Sequence, residues 1–150
     1  MIRIKFAKLY IDATLPRRWS PDAVGYDIHA YLKTEQDRPT KRVVAPNWTV
    51  NIPTGLTMEI PRTHFGFVCP RSGLGKDSIS VTNSPGIIDP DFRGELCVLV
   101  YNGSYQNHWV EHGDRIAQLV IMPVTPILIE EVAALSETER GRLGFGSTGR

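Results

Sequence analysis

The chain has 150 residues and a formal net charge of +1, with acidic and basic side chains interspersed. A chain of this length is about one domain, long enough to bury roughly two-thirds of its unfolded surface. The near-neutral charge excludes the broad basic surface of proteins that bind nucleic acid or anionic membranes. We therefore expect one domain over residues 1–150, with no nucleic-acid or membrane partner.

The cysteines and the N-terminus bear on the cellular compartment. Cys69 and Cys97 lie inside apolar, strand-like runs and lack the spacing of a metal site, so we interpret both as reduced core residues. The first ten residues alternate apolar and basic side chains, unlike the apolar segment of a signal peptide, and no apolar run reaches the roughly 20 residues that span a bilayer. These features predict a cytoplasmic protein.

Short runs rich in Val, Ile, Tyr and Phe recur from the N-terminus to about residue 130, separated by clusters of Pro and Gly. This pattern is typical of an all-β barrel or sandwich. Helix signals are weak: Ser72 is a candidate cap for one helical turn, and Glu130–Leu135 is a candidate final turn. The predicted strands, in chain order, are Ile2–Leu9, Tyr26–Leu32, Lys41–Ala45, Thr49–Ile52, Leu56–Ile60, His64–Cys69, Leu96–Tyr101, Ile116–Met122 and Ile127–Val132.

The C-terminal tail differs in composition from the rest of the chain. Residues 136–150 are rich in glycine and charge and carry no core-forming pattern. Such a tail is expected to be mobile when no ligand holds it, and one that carries an aromatic residue and several hydrogen-bond donors can act as a lid. We therefore predict a β-barrel over about residues 1–135 and a lid over about residues 136–150.

The segment N-S-P-G-I-I-D-P-D-F-R-G-E, from Asn83 to Glu95, has turn signals on both sides of a short apolar run. It predicts a hairpin whose returning strand is the apolar run Leu96–Tyr101. Asp89 then lies at the lip of a turn, where it is a candidate general base. On its own, a D-P-D sequence is more often ordinary turn chemistry, so other parts of the chain must decide.

Three other positions are candidates for anion binding. The P-R-S-G segment that contains Arg71 offers an arginine fork, a hydroxyl and free N–H groups, and suits either an anion cradle or a plain helix cap. Gln118 lies in an otherwise apolar run, where an unsatisfied buried polar group costs about 1–3 kcal/mol, so it needs a ligand or a neighbouring strand as partner. Arg140 is either a solvated charge or a phosphate clamp.

Five segments, taken in order, resemble the five motifs of the trimeric dUTP nucleotidohydrolases. They begin at Ala23 (A-V-G-Y-D-I), Pro70 (P-R-S-G-L-G-K), Asn83 (the segment above), Gly113 (G-D-R-I-A-Q-L) and Arg140 (R-G-R-L-G-F-G-S-T-G). The resemblance implies a jelly-roll-like distorted β-barrel with a flexible glycine-rich tail. It also implies hydrolysis of dUTP to dUMP and pyrophosphate, which lowers dUTP and supplies dUMP for thymidylate synthesis, by a homotrimer whose active sites are shared between subunits.

The resemblance also implies a role for each matching residue. Asp89 would activate the water that attacks the α-phosphate, and Asp27 would support Arg71 and the waters around Mg²⁺. The Mg²⁺ ion itself would be held by the substrate phosphates, with no direct protein ligand. Phosphate binding would fall to Arg71, Ser72, Gly73 and Gln118; the nucleoside would contact Asn83, Gly86, Ile87, Ile88, Phe92 and Cys97; and the lid would use Arg140, Phe145, Gly146, Ser147 and Thr148.

Two positions depart from the family pattern. Phe92 stands where the family usually has Tyr, and Leu143 stands where the tail usually has Gly. The nearest alternative is a dCTP deaminase, which shares the fold but has a catalytic Glu in the hairpin region. A regulatory relative that only binds nucleotide is the second alternative. The surroundings of Asp89 and the glycine-rich tail favour the dUTP enzyme.

Overall fold

The computed structural model describes residues 1–33, 36 and 38–143. Within this part, the chain is built from short strands and one five-residue helix, and no helix has the length and apolarity to cross a membrane. The elements, in chain order, are β1 Lys5–Lys8, β2 Tyr26–His29, β3 Lys41–Val44, β4 Thr49–Pro53, β5 Leu56–Glu59, β6 His64–Cys69, α1 Ser72–Lys76, β7 Ile79–Val81, β8 Gly86–Ile88, β9 Cys97–Asn102, β10 His108–Glu111 and β11 Arg115–Pro123.

The strands pair antiparallel into four sheets. The largest has the order β2-β11-β6-β8, the second has the order β4-β9-β7, and the pairs β1-β5 and β10-β3 form the other two. Most partners are far apart in sequence, as in β2 with β11, so the sheets depend on contacts across the whole chain. The predicted all-β, jelly-roll-like fold is confirmed, although the described strands do not close into one continuous barrel.

One hydrophobic core joins the four sheets. Alternate residues of the strands point inwards, as in β9, where Val98 and Val100 are buried and Cys97, Leu99 and Tyr101 are only partly buried. Burial of each large aliphatic side chain contributes about 1.5–3 kcal/mol relative to exposure. The core cluster includes Ile28, Val44, Ile52, Met58, Val68, Val110 and Leu119, which come from all four sheets. Among the described residues, the buried polar side chains are Asp27, His29, Thr54 and Asn102.

The predicted strand Ile127–Val132 is wrong. Residues 124–143 form no strand, residues 130–135 form no helix, and Ile127, Leu128 and Ile129 are 78%, 91% and 88% exposed. An apolar run becomes a strand only where another strand can pair with it, and the described part of this chain offers none there. Three observed strands were not predicted, because β7, β8 and β10 are short and contain Ser, Gly or His.

The predicted hairpin around Asp89 is also wrong. β8 pairs with β6, whereas β9 pairs with β4 and β7, so residues 89–96 link two different sheets. In its pairing with β6, β8 places Ile88 against the core. The predicted cap is wrong too: Arg71 is the N-cap of α1 and makes no side-chain cap bond, since its side chain is directed to Asp27.

Candidate active site

Polar side chains collect at one end of the outer face of the largest sheet. Asp27 of β2 lies opposite Gln118 of β11, which in turn lies opposite Cys69 of β6. Directly opposite residues share a sheet face, so these three side chains project to the same side. Arg71 follows Cys69 by two residues in extended backbone and continues on that side.

A β-bulge brings Arg115 to the same face. Residues three apart on a regular strand point to opposite faces, which would separate Arg115 from Gln118. The pairing of β2 with β11 shifts register between Arg115 and Ala117, and the extra residue places Arg115 opposite His29. Because His29 is two residues beyond Asp27, Arg115 returns to the Asp27 side of the sheet.

Asp27 binds both arginines. Its Oδ1 accepts a hydrogen bond from Arg71 Nε at 2.9 Å, and its Oδ2 accepts one from Arg115 Nη1 at 3.2 Å. The carboxylate is largely buried, and the pairing fixes the position of each guanidinium group. A guanidinium carries five N–H donors, so each arginine keeps donors that can bind a further anion.

The Gln118 side chain lies between Pro70 and Gly25. Its Nε2 donates a hydrogen bond to the Pro70 carbonyl at 3.0 Å, which gives this amide the protein partner that its apolar strand requires. A methyl group at Gly25 would overlap the Gln118 side-chain oxygen. Gly25 therefore makes the room that this amide occupies.

An open cavity of about 460 Å³ adjoins these groups. Ser72 and Gly73 are exposed at the start of α1, and a methyl group at Gly73 would meet nothing within 4 Å. The wall combines guanidinium, amide and hydroxyl donors, which suit a multiply charged anion. The lining residues are Trp19, Ala23, Val24, Gly25, Asp27, Arg71, Ser72, Gly73, Arg115 and Gln118.

His29 is buried beside this cationic cluster. Its pKa is lowered first by burial and then by the positive charge of Arg17, with further lowering by Arg115 and Arg71, while Asp27 acts in the opposite direction. The imidazole is therefore neutral at neutral pH. Its Nδ1 atom has no hydrogen-bond partner among the described residues.

β8 forms the opposite edge of the sheet. Gly86, Ile87 and Ile88 pair with Val68, Phe67 and Gly66, and no described strand pairs with the other edge. The backbone N–H and C=O groups on that edge are available to a ligand. Ile87 is half exposed on the outer face, and the exposed Asn83 places its Nδ2 near Gly86.

Asp89 and Phe92 lie in the turn that follows β8. The Phe92 N–H donates to the Asp89 carbonyl at 3.1 Å, and Arg93 Nη1 donates to the carbonyls of Pro90 and Phe92 at 2.7 and 2.8 Å. A methyl group at Gly94 would lie 2.7 Å from the Phe92 ring, so the ring rests on the Gly94 backbone. The exposed Asp89 carboxylate borders an open cavity of about 890 Å³.

Within one chain, the cleft that contains Arg71 and the turn that contains Asp89 are far apart. Ile88 lies opposite Gly66, which places Asp89 beside Phe65 near the start of β6, whereas Arg71 follows the end of β6. Six residues of extended chain separate these positions, which is about 20 Å at the usual rise per residue. A general base must lie within about 3 Å of the proton it takes, so Asp89 and Arg71 of the same chain cannot act on one phosphate group.

The remaining predicted site residues are spread over the chain. Cys97 opens β9 opposite Pro53, no described strand pairing joins it to β8, and burial raises the pKa of its partly buried thiol. Arg140 is exposed in a turn where the Leu143 N–H donates to its carbonyl at 3.2 Å. Four predicted lid residues lie outside the described part of the chain: Phe145, Gly146, Ser147 and Thr148.

Sequence reasoning did not identify three residues of the cleft. Gly25 and Arg115 both fall inside motif-like segments, but only the packing of Gln118 and the bulge in β11 reveal what they do. Trp19 lies in a polar loop without periodicity, so the sequence carries no signal that links it to Arg115.

Comparison with known proteins gives consistent matches over nearly the whole chain. The family model described as dUTPase matches residues 12–149. A deoxyuridine 5'-triphosphate nucleotidohydrolase from Syntrophotalea carbinolica is 42% identical over 149 residues, which cover 99% of this chain and 97% of the relative. The enzyme of the same name from Rhizobium etli is 46% identical over 136 residues, which cover 90% of this chain and 85% of the relative.

Solved structures of phage proteins share the fold. A mutant dUTPase of Staphylococcus bacteriophage 80alpha with dUpNHpp superposes with a TM-score of 0.81 at 24% identity, over 99% of both chains. A mutant dUTPase from phage phi11 of S. aureus, described with a structural Mg(II) ion, has a TM-score of 0.78 at 21% identity, over 90% of this chain and 99% of that chain. At these sequence identities, the structural similarity establishes a shared fold and nothing further.

Proposed function

The chain belongs to the dUTPase family, and on this premise we propose that it hydrolyses dUTP to dUMP and pyrophosphate, which lowers dUTP and supplies dUMP for thymidylate synthesis. The observation that carries the proposal is the cleft in which Asp27 holds Arg71 and Arg115 beside Gln118. A shared fold alone does not establish an activity, but a preformed cationic cleft fits the phosphate chain of this substrate.

The phosphate chain binds in that cleft. Arg71 uses its Nε to reach Asp27, so its two terminal nitrogens are left to contact phosphate oxygens. Ser72 and Gly73 add a hydroxyl and backbone N–H groups beside it, and Gln118 adds an amide. Donors that are already in position stabilise negative charge in the transition state without reorganising.

The nucleoside binds at β8. The free edge of Gly86–Ile88, with Asn83 beside it and the main chain near Cys97, hydrogen-bonds the uracil edge. Cytosine would leave backbone donors and acceptors unpaired, which can reject a ligand by roughly 10⁴-fold. The Phe92 ring packs against the deoxyribose and excludes a 2′-hydroxyl by close contact.

Asp89 acts as the general base. Its carboxylate accepts a proton from water while the water oxygen forms a bond to the α-phosphorus. The bond from the α-phosphorus to the oxygen that bridges to the β-phosphorus then breaks, and pyrophosphate leaves with that electron pair. The oxygen from water remains in dUMP.

The active enzyme is a homotrimer with shared sites. The distance of about 20 Å between Asp89 and Arg71 along β6 is longer than a triphosphate chain, so the base and the cradle come from different subunits. Two apolar surfaces support association: the outer face at the exposed Ile87, beside the partly buried Phe65 and Phe67, and the exposed run Ile127–Ile129. The third subunit supplies the lid, with Arg140, Phe145, Gly146, Ser147 and Thr148 over the bound nucleotide.

Mg²⁺ would be held by the substrate phosphates. The described residues contain no group of three or more His, Cys, Asp or Glu that could hold a metal ion. Both oxygens of Asp27 are bonded to arginines, so Asp27 would meet the ion only through water. The arginine-bonded Asp27 suits a cation that keeps several waters and is bound chiefly by phosphate; such an ion would neutralise part of the phosphate charge.

We place the enzyme in the cytoplasm. Cys69 and Cys97 are free thiols, and burial raises the pKa of both. A raised pKa keeps a thiol protonated and unreactive, and unpaired thiols of this kind are usual in a reducing compartment.

Pyrophosphate release tests the proposal. We expect turnover of dUTP with Mg²⁺, and little or none of dCTP, dTTP or UTP. Asp89→Asn should lower the rate by about 10²–10⁴, the usual contribution of a general base. Asp91→Asn is the matched control, because Asp91 borders the same cavity and has no assigned role. Ammonia release from dCTP, or full activity of Asp89→Asn, would contradict the proposal.

A further inference from the structure

Trp19 contacts two arginines at the wall of the phosphate cleft. The guanidinium carbon of Arg17 lies 4.3 Å from the centroid of the Trp19 ring, and that of Arg115 lies 4.8 Å from it. Both distances are within the roughly 6 Å range of cation–π attraction. Trp19 is 59% exposed, so this ring contributes little to the hydrophobic core.

A backbone hydrogen bond holds the loop that carries Trp19 next to the phosphate cleft. The Asp27 N–H donates to the Arg17 carbonyl at 2.9 Å, and the two residues form an isolated antiparallel bridge. This bond ties the Arg17 loop to the start of β2, the strand that carries the Asp27 carboxylate. Trp19 therefore lines the same cavity as Arg71 and Gln118.

The cluster carries more positive than negative charge. Asp27 pairs with Arg71 and Arg115, while Arg17 forms no ion pair among the described residues. Arg71 and Arg115 thus share one carboxylate, and Arg17 adds a third guanidinium group on the Trp19 ring. A bound anion would reduce the repulsion among these like charges. The Arg17 charge also reaches the site interior, where it helps to lower the pKa of His29.

We propose that Trp19 is a positioning residue of the phosphate site: its ring holds Arg115 against the cleft, where Arg115 binds the phosphate chain of the nucleotide and free pyrophosphate, and Arg17 adds positive charge behind the ring. This inference rests on the proposed function and adds Trp19, Arg17 and Arg115 to its residues. A purely structural role for Trp19 would instead predict loss of stability with unchanged anion affinity.

Titration of the full-length protein with inorganic pyrophosphate, together with dUTP kinetics, tests this inference. Trp19→Leu should weaken pyrophosphate binding and raise the dUTP KM by roughly fivefold, with kcat within about a factor of two, because one aromatic contact is lost. Trp19→Phe should recover part of the affinity. Trp48→Leu is the matched control, since Trp48 is an exposed tryptophan in the turn between β3 and β4.

A second pair of variants covers the case in which Trp19→Leu folds poorly. Arg17→Gln should weaken pyrophosphate binding, whereas Arg18→Gln should not, because Arg18 lies over the Tyr26 ring and donates to the Ala23 carbonyl. Thermal unfolding of each variant separates loss of folding from loss of affinity. Parental pyrophosphate affinity in folded Trp19→Leu and Arg17→Gln would overturn the inference.

The two proposals fail differently. Normal dUTP turnover with parental kinetics in Trp19→Leu would remove Trp19 from the site and leave the proposed function intact. Pyrophosphate binding that depends on Trp19, without turnover of any nucleotide, would overturn the function and leave the anion site standing.

Discussion

Two inactive variants should restore activity when they assemble together. Asp89→Asn removes the proposed base and leaves the proposed phosphate-binding cleft intact, and Arg71→Gln removes an arginine of that cleft and leaves Asp89 intact. Asp27 keeps Arg115 as a partner in the second variant, so its buried carboxylate is not left unpaired. Each variant alone should be nearly inactive.

The expected recovery follows from the distance between the two halves of the site. Asp89 and Arg71 lie about 20 Å apart along β6 in one chain, and in the proposed trimer each site combines Asp89 of one subunit with Arg71 of another. In a closed ring of three, random mixing at equal amounts gives each site about a one-in-four chance of drawing both intact residues. The mixture should therefore reach about one quarter of the parental activity.

The assay is pyrophosphate release after the variants are unfolded together and refolded. Each variant refolded alone is the control for contamination, and sedimentation should show that the mixed species has the mass of three chains. If base and cradle came from one chain, every chain in the mixture would carry one defect and no activity would return. A mixture as inactive as its components would therefore refute the shared site.

Two further predictions concern Gln118 and His29. Gly25→Ala should displace the Gln118 amide and raise the dUTP KM roughly tenfold, the cost of about one hydrogen bond. The double variant Gly25→Ala, Gln118→Ala should have the same KM as Gln118→Ala alone, because the amide that the added methyl group would displace is then already absent. Gly75→Ala is the control, because a methyl group there would meet nothing within 4 Å; equal kinetics in the two alanine variants would contradict the packing argument. The pKa of His29 is lowered in the fold, so below about pH 6.5 the unfolded chain takes up a proton that the folded chain does not. The free energy of unfolding should therefore have its full value above that pH. It should fall as the pH drops, by at most about 1.4 kcal/mol per pH unit. Urea unfolding between pH 8 and pH 5.5 should show this slope reduced in His29→Gln, and an unchanged slope would remove His29 as its source.

Local composition predicted those strands that are rich in β-branched and aromatic residues and are bounded by Pro or Gly. His64–Cys69 was predicted with the bounds that the structure shows, because its apolar residues suit a central strand with neighbours on both sides. β8 could not be predicted in the same way, since three residues are too short to show a period and its partner β6 lies about 20 residues earlier in the chain. The Ile127–Val132 pattern has the side chains of a strand but lacks a partner in the described chain.

The site shows a similar division. The motifs identified Asp27, Arg71 and Gln118, and the sheet register brings these three to one face. Arg115 could not be placed from sequence, because a regular strand directs it to the other face and only the bulge reverses it. The distance from Asp89 to the cradle also depends on which strand β8 pairs with, and pairing across the chain is not encoded in any local pattern.

Hydrolysis of dUTP in ¹⁸O-labelled water tests the central claim most directly, namely that water activated by Asp89 attacks the α-phosphorus. Mass spectrometry of the products should find the labelled oxygen in dUMP and none in pyrophosphate. The rate should fall by about 10²–10⁴ in Asp89→Asn and stay unchanged in Asp91→Asn. Label in pyrophosphate, or an unimpaired rate in Asp89→Asn, would contradict the account.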